Sequence, residues 1–171
     1  MAMYHMVGVT PEAPSVEAAL GGNQPNDELI ISDRDIQSVF ENYNTADGNC
    51  SLVVFSGPQQ SIYELKYIAE LLKGKKVHPN TQLFVTTNAE FKNLADKLGI
   101  SEAIEEAGGI ILEGVCFYLL QNLTHIRETN NWKNLVSNSA KLVNTITAHR
   151  FNTILRSTAD CVEAAVSGKV T

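Results

Sequence analysis

The sequence predicts an α/β domain with three layers, in which a mainly parallel central sheet of about four or five strands carries helices on both faces. Two observations support this prediction. Short, continuous apolar runs such as LVVF (52–55) are typical of strands that are covered on both sides. Each such run is followed by a segment with apolar residues at helical spacing. Strands that alternate with amphipathic helices form right-handed βαβ units, and such units build a parallel sheet.

The first part of the chain predicts one strand and one helix. The apolar run MYHMVGVT (3–10) is strand-like. After a polar loop, Ser32 and Asp35 have the spacing of a capping box, in which the two side chains and the first backbone N–H groups of a helix satisfy one another. Four apolar residues then recur at helical spacing: Ile36, Val39, Phe40 and Tyr43. We expect a helix that buries this stripe.

The middle of the chain shows the clearest alternation of strands and helices. The predicted strands are SLVVFS (51–56), TQLFVTT (81–87) and GIILEG (109–114). The helix after the first strand begins with a capping box at Ser61 and Glu64. The helix after the second strand begins with Thr87 as its cap and Glu90 as the reciprocal acceptor, and SEAIEEAG (101–108) predicts a further short helix.

The last third of the chain is less regular. A strand is predicted around Leu135 and Val136, followed by the polar turn SNSAK (137–141). The run FNTIL (151–155) predicts another strand, and a helix follows that opens with Ser157 and Asp160 at capping-box spacing.

Composition limits the possible classes of protein. The chain has 171 residues, 44% of them hydrophobic, and predicts a single α/β domain over residues 1–171. Its net charge of −6 argues against nucleic-acid binding, which needs a basic face. No apolar stretch approaches the ~20 residues of a membrane span, and there is no secretory signal. Three cysteines then predict a reducing, cytoplasmic location. Because a strand is predicted almost at residue 1, we expect a fragment of a longer protein.

The candidate site residues lie mainly in loops after predicted strands, where parallel sheets bind ligands. Ser139 and Lys141 can bind an oxyanion or a carboxylate, or they can cap a helix and face water. Cys116 follows the third strand, and Cys161 lies in the first turn of the last helix, where the helix dipole favours a thiolate. Both cysteines can equally be buried structural thiols. His5 is either a base or a hydrogen-bonded core histidine.

Five segments, taken in order, resemble the aconitase X family, a family of predicted aconitases. They are YHMVGVTPEAPSVEAAL, GPQQSIYELKYIAELLKGKKV, LFVTTNAEFKNLADKLGISEAIEEAGGIILEGVC, SNSAK and DCVEAAVSGKV. The resemblance runs over nearly all of the chain, although it reaches only the C-terminal part of the family's large subunit. No single motif is decisive, and the specificity of the match comes from the order and spacing of the segments.

The resemblance implies a hydro-lyase, a dehydratase or isomerase, that acts on a hydroxy acid with the help of an iron–sulfur cluster. It implies Cys116 and Cys161 as cluster ligands, and Ser139 and Lys141 as substrate or catalytic contacts. His5 falls on the histidine that precedes VGVTPEA in the family. The implied partners are a small hydroxy-acid substrate, the remainder of the large subunit and a small swivel subunit or domain. The isolated fragment is expected to be inactive.

Three stretches depart from the family's usual pattern. Gly114 and Val115 stand where the family has Asp-Thr before the cysteine. The loop SGPQQ (56–60) replaces a Gly-Cys-Pro-His-type loop, and LVNTI (142–146) replaces a tyrosine-containing sequence. Each change removes a polar group near the predicted site. The alternative function is therefore a non-catalytic binding or assembly module that keeps the fold and has lost the chemistry.

Overall fold

The computed structural model describes residues 4–44 and 48–170. The chain divides into two compact units, Met1–Asp35 and Ile36–Thr171. Among the described residues, no helix is long and apolar enough to cross a membrane.

The described part of the first unit contains one short helix, α1 (Val16–Leu20), whose first turn is capped by the Ser15 hydroxyl. The strand predicted at 3–10 is wrong for residues 4–10, because 4–6 have no regular structure and 7–10 form a turn and a bend, while residue 3 lies outside the described residues. The Met6 N–H donates to Thr10 Oγ1 over 2.9 Å, and the Met6 carbonyl accepts from the Thr10 N–H over 2.8 Å. These local bonds use backbone groups that a strand would have paired with a neighbour.

The next helix, α2 (Asp33–Asn42), begins as its sequence predicts. The Asp35 carboxylate accepts hydrogen bonds from the Ser32 hydroxyl over 2.6 Å and from the Ser32 N–H over 2.8 Å. These bonds lower the pKa of the Asp35 carboxyl. The predicted burial of the apolar stripe is wrong for three of its members, because Ile36, Val39 and Phe40 are 52%, 38% and 39% exposed.

The second unit contains the α/β domain. After α2 its regular elements are β1 (Leu52–Gln60), α3 (Ile62–Leu72), β2 (Gln82–Thr87), α4 (Ala89–Lys97), α5 (Ile100–Glu106), β3 (Gly109–Glu113), α6 (Leu123–Thr129), β4 (Asn134–Ser137), α7 (Ala140–Thr145), β5 (Asn152–Leu155) and α8 (Thr158–Ser167). Two 3₁₀ turns, Phe117–Leu119 and Ile146–His149, complete it.

The five strands form one sheet in the order β3-β2-β1-β4-β5, and every neighbouring pair is parallel. The predicted α/β class is therefore confirmed, and each of the five strands predicted after residue 50 is present. The chain adds β2 and β3 on one side of β1 and then crosses to the other side, where it adds β4 and β5. The change of direction lies between β1 and β4, which makes this pair the topological switch point of the sheet.

The core has two parts because alternate residues of each strand face opposite sides of the sheet. On one face, Val53 and Phe55 of β1 pack with buried residues of α3, α5 and α8. On the other face, Leu52 and Val54 pack with Phe117, Trp132 and residues of α6 and α7. The sheet is thus covered on both sides, which gives the three layers that the continuous apolar runs predict.

Most of the predicted helix caps are present. Ser61 and Glu64 form a complete capping box at the start of α3, and Ser157 caps α8 through the N–H of Asp160. The predicted cap of α4 is wrong, because Asn88 rather than Thr87 caps this helix. Thr87 is the last residue of β2, and its hydroxyl donates to the Gln60 carbonyl over 2.7 Å. The cap is shifted by one residue because the Thr87 hydroxyl is engaged with Gln60, while the Asn88 side chain accepts from the Phe91 N–H.

Candidate functional site

The carboxyl ends of the strands place a group of polar side chains at the switch point. The apolar parts of β1 and β4 end in Ser56 and Ser137, and β2 ends in Thr86 and Thr87. Ser56, Ser137 and Thr86 have no exposed surface and are hydrogen-bonded. The end of β1 and the loop after β4 meet here through a hydrogen bond between Ser139 Oγ and the Gly57 carbonyl, at the edge where parallel sheets bind ligands.

Ser139 lies at this edge as the N-cap of α7. Its Oγ accepts a hydrogen bond from the Leu142 N–H over 3.1 Å and donates one to the Gly57 carbonyl. The Ser139 N–H donates to Ser137 Oγ over 3.2 Å. The Ser139 hydroxyl therefore fixes the position of the β4–α7 loop against Gly57, near the end of β1.

Lys141 is the second residue of α7, and its side chain is exposed. Its ammonium has no ion pair with any residue in the described ranges 4–44 and 48–170. The first turn of α7 carries no acidic residue, unlike the first turns of α3 and α8, which carry Glu64 and Asp160. Lys141 is thus a cation without an ion pair in the described residues, two positions after Ser139, whereas α3 and α8 on the other face of the sheet start with carboxylates.

Cys116 lies in the loop after β3, where it caps the 3₁₀ turn Phe117–Leu119 and is half-buried. Two hydrogen bonds connect its neighbours to β1. Gln59 Nε2 donates to the Val115 carbonyl over 3.2 Å, and the Phe117 N–H donates to Ser56 Oγ over 3.2 Å. Cys116 and Ser139 are consequently both held against the same short segment of β1.

Cys161 has the surroundings of a buried structural thiol, which is one of the two alternatives that its sequence position left open. It is the fourth residue of α8, has no exposed surface and belongs to the core cluster on the α3–α5–α8 face. Its Sγ donates to the Arg156 carbonyl over 3.7 Å. Burial raises the pKa of the Cys161 thiol well above its usual range, and the neighbouring Asp160 adds to the effect. Desolvation outweighs the helix dipole, so the expected thiolate is not favoured in this structure.

The cysteines do not form a cluster-binding set by themselves. Cluster ligands are thiolates, and burial in the core raises the pKa of the Cys161 thiol and so disfavours its thiolate form. Cys116 precedes Phe117, which packs on the opposite face of the sheet. Within the part of the chain that the structure describes, no group of three or more His, Cys, Asp and Glu side chains could hold a metal ion. The ligand roles of Cys116 and Cys161 remain a prediction from the family resemblance.

His5 lies in the first compact unit, in a segment that is not the strand predicted from the sequence. It is exposed and precedes the turn that starts at Val7. Its side chain lines a concavity of about 870 Å³ together with Glu17, Asp27 and Glu28. The core-histidine alternative is therefore wrong, because the ring is neither buried nor part of a strand.

Sequence reasoning placed the segment SGPQQ (56–60) near the predicted site but gave Ser56 and Gln59 no role, and it missed Thr86. A signal for two of them is present in the sequence, because Ser56 and Thr86 end otherwise apolar strands. A hydroxyl at such a position is buried and must find a partner within the protein. Gln59 gives no comparable signal, since its partner at Val115 lies far away in sequence.

These features define a class of protein. A parallel α/β domain whose strand order reverses beside the first strand is a domain of the doubly wound type. Residues 50–167 match the family model described as aconitase X third domain. The chain therefore belongs to the aconitase X family.

Relatives and solved structures agree with this assignment. Cis-3-hydroxy-L-proline dehydratase of Hypocrea jecorina is 30% identical over 171 residues, 97% of this chain and 28% of that protein. The phosphomevalonate dehydratase large subunit of Methanocaldococcus jannaschii is 31% identical over 133 residues, 77% of this chain and 32% of that protein. The crystal structure of Thermococcus kodakaraensis aconitase X in its holo-form superposes with a TM-score of 0.69 at 26% identity, over 82% of this chain and 36% of that one. The chain spans about a third or less of the length of these curated relatives.

Proposed function

We propose that this chain is one domain of a hydro-lyase that eliminates water from a small hydroxy acid, and that the switch-point edge forms part of the substrate cleft. The match of residues 50–167 to the third domain of aconitase X carries this proposal. Two relatives of the chain are named as dehydratases, one of cis-3-hydroxy-L-proline and one of phosphomevalonate. The geometry supports the proposal because the polar loops lie where parallel sheets bind ligands.

In this proposal Lys141 binds the substrate carboxylate. A hydroxy acid carries a negative charge at neutral pH, and Lys141 is an exposed cation without an ion pair in the described residues. Ser139 fixes the loop from which Lys141 extends, because its hydroxyl bridges the Leu142 N–H and the Gly57 carbonyl. Substrate orientation of this kind contributes to catalysis by holding the reacting groups in place.

The remaining site assignments are proposals from the resemblance. The family pattern gives Cys116 as a ligand of an iron–sulfur cluster, and the half-buried position of Cys116 at the edge supports it. Cys161 receives no such support from its surroundings. His5 is proposed as a substrate contact, supported by its exposed ring. The rest of the large subunit, a small swivel subunit and a cytoplasmic location are likewise proposed, and we expect the isolated domain to be inactive.

Turnover by the intact protein that contains this chain tests the proposal. The protein is purified anaerobically, and loss of cis-3-hydroxy-L-proline and of phosphomevalonate is followed by mass spectrometry. We expect dehydration of one of them, and we expect Lys141→Met to raise KM about tenfold or more, as loss of a charged contact does. Lys97→Met is the matched control, because Lys97 is an exposed lysine at the end of α4.

The alternative is a binding or assembly module without catalysis. The enclosed Cys161 thiol favours it, since a sulfur inside the core cannot ligate a cluster without rearrangement. Two results together would support this module. The wild-type protein would bind the hydroxy acid without turnover, and Lys141→Met would weaken that binding. Turnover that is identical in wild type and Lys141→Met would contradict the role given to Lys141 in either function.

A further inference from the structure

The end of β1 is hydrogen-bonded to both flanks of Cys116. Gln59 Nε2 donates to the carbonyl of Val115, and Ser56 Oγ accepts from the N–H of Phe117, each over 3.2 Å. The residues on either side of Cys116 are therefore held by two side chains of one segment, residues 56–59. This segment lies at the end of β1, where the regular pairing with β2 is interrupted, and we call it the β1 loop.

The β1 loop also contacts the second predicted part of the site. The Gly57 carbonyl accepts the hydrogen bond from Ser139 Oγ. The two segments approach closely, because a Cβ added to Gly57 would lie 3.6 Å from Leu142 Cβ and 3.7 Å from Ser139 Oγ. Gly57 has a φ of +65°, a conformation that favours glycine. The β1 loop thus lies between the Cys116 loop and the Ser139 loop and is bonded to both.

The two flanks of Cys116 are held with different strength. On its C-terminal side, Phe117 has no exposed surface, and its ring centroid lies 5.4 Å from that of Phe84 and 6.3 Å from that of Trp132. On its N-terminal side, Val115 is 36% exposed. Aromatic burial fixes one flank, so the amide of Gln59 has its largest effect on the other.

We infer that Gln59 and Ser56 are positioning residues that hold the Cys116 thiol at the switch-point edge beside the Ser139 loop. Ser56 fixes the Phe117 amide from a buried position, where Thr86 Oγ1 also donates to its hydroxyl over 3.0 Å. Gln59 fixes the Val115 peptide from the half-buried β1 loop. The importance of Cys116 rests on the proposed function, whereas the positioning of its neighbours follows from the hydrogen bonds.

The rate of thiol alkylation tests the role of Gln59. The intact protein is treated with iodoacetamide, and modification of the Cys116 peptide is followed by mass spectrometry. We expect Gln59→Ala to change the rate at Cys116 by about two- to tenfold, the effect of losing one hydrogen bond on a local opening equilibrium. Gln59→Lys keeps an N–H donor on a flexible stem and is expected to restore most of the wild-type rate.

Gln37→Ala is the matched control. Gln37 is an exposed glutamine whose Nε2 donates to Glu41 Oε1 over 2.9 Å on α2. We expect this variant to keep the wild-type alkylation rate at Cys116. A Gln59→Ala protein with the wild-type melting temperature and the wild-type rate at Cys116 would overturn the positioning role of Gln59.

Amide exchange tests the role of Ser56 separately. Ser56→Ala removes the acceptor of the Phe117 N–H, so exchange of the Phe117 amide is expected to accelerate about two- to tenfold. Because Ser56 is buried, Ser56→Thr is the second variant, which keeps the hydroxyl and is expected to keep slow exchange. If the exchange rate of the Phe117 amide is the same in wild type and Ser56→Ala, Ser56 is not a positioning residue.

The two proposals fail in different ways. If the Gln59 and Ser56 variants behave as expected while the wild-type protein dehydrates neither substrate, the positioning stands and the proposed enzyme function fails. If the wild type is active and Gln59→Ala changes neither the alkylation rate nor kcat, the function stands and the positioning fails.

Discussion

At the scale of single residues, the three cysteines have distinct surroundings although all are free thiols. Cys116 is half-buried at the edge of the sheet, whereas Cys50 and Cys161 are buried in one core cluster. A thiol at the surface of a cleft can contribute to chemistry, while a core thiol behaves as a small apolar side chain. The predicted ligand roles of Cys116 and Cys161 can therefore be compared with Cys50, a buried thiol for which no ligand role is predicted.

Iron content tests those roles. We expect Cys116→Ser, in the intact protein reconstituted anaerobically with iron and sulfide, to lower both bound iron and cluster absorbance, because a serine hydroxyl is a poor substitute for a thiolate ligand. Cys50→Ser is the matched control for a buried structural thiol. We expect Cys50→Ser to keep its iron. If Cys161→Ser keeps its iron as well, Cys161 is a structural core residue and not a ligand. Unchanged iron in both Cys116→Ser and Cys161→Ser would remove the ligand assignment altogether.

At the scale of elements, the capping box of α3 connects sequence to structure most directly. The Ser61 hydroxyl accepts from the Glu64 N–H, and Glu64 Oε2 accepts from the Ser61 N–H over 2.7 Å. These bonds satisfy backbone donors that the first turn of a helix leaves without partners. The cap also fixes the start of α3 directly after β1, whose loop carries Gln59.

Removal of this cap is expected to cost stability. Ser61→Ala should lower the free energy of unfolding by about 1 kcal/mol, measured by urea denaturation. Ser167→Ala gives a comparison at the opposite end of a helix, because the Ser167 hydroxyl donates to the Glu163 carbonyl and accepts from the Lys169 N–H at the end of α8. Stability of Ser61→Ala equal to that of the wild type would show that the capping box contributes little to α3.

The elements of the α/β domain were predictable because their signals are local. The apolar runs of β1, β2 and β3 and the capping residues Ser61 and Ser157 all lie within a few positions of the structure they specify. The stripe of α2 was mispredicted, since helical periodicity shows that a face is apolar but not that a partner covers it. The Gln59–Val115 bond was not predictable, because it depends on how two loops meet after the sheet has formed.

At the scale of the whole molecule, the buried thiols connect stability to pH. Burial raises the pKa of the Cys50 thiol from 9.0 to about 12, and burial also raises the pKa of Cys161. A folded state that retains protons longer than the unfolded state loses stability as the pH rises between the two pKa values. Below the unfolded pKa both states are protonated, so the full contribution is present at neutral pH.

We therefore expect the free energy of unfolding to fall as the pH is raised above about 9, by about 1.4 kcal/mol per pH unit for each thiol. The measurement is the urea midpoint at a series of alkaline pH values. Cys50→Ala should lower stability at neutral pH, because it leaves a cavity in the core, and it should flatten the alkaline slope, since Ala has no proton to lose. A slope that is the same in wild type and Cys50→Ala would contradict the assignment of this pH dependence to Cys50.

The bonds of the β1 loop have a consequence for protein engineering. Residues 56–59 are bonded to Val115 and Phe117 on one side and to Ser139 on the other. A loop graft from a related protein that exchanges 56–59 alone would remove the side-chain partners of Val115 and Phe117, and it would alter the backbone that accepts the hydrogen bond of Ser139. Chimeras at this edge should therefore exchange the three segments together, as one transplantable unit.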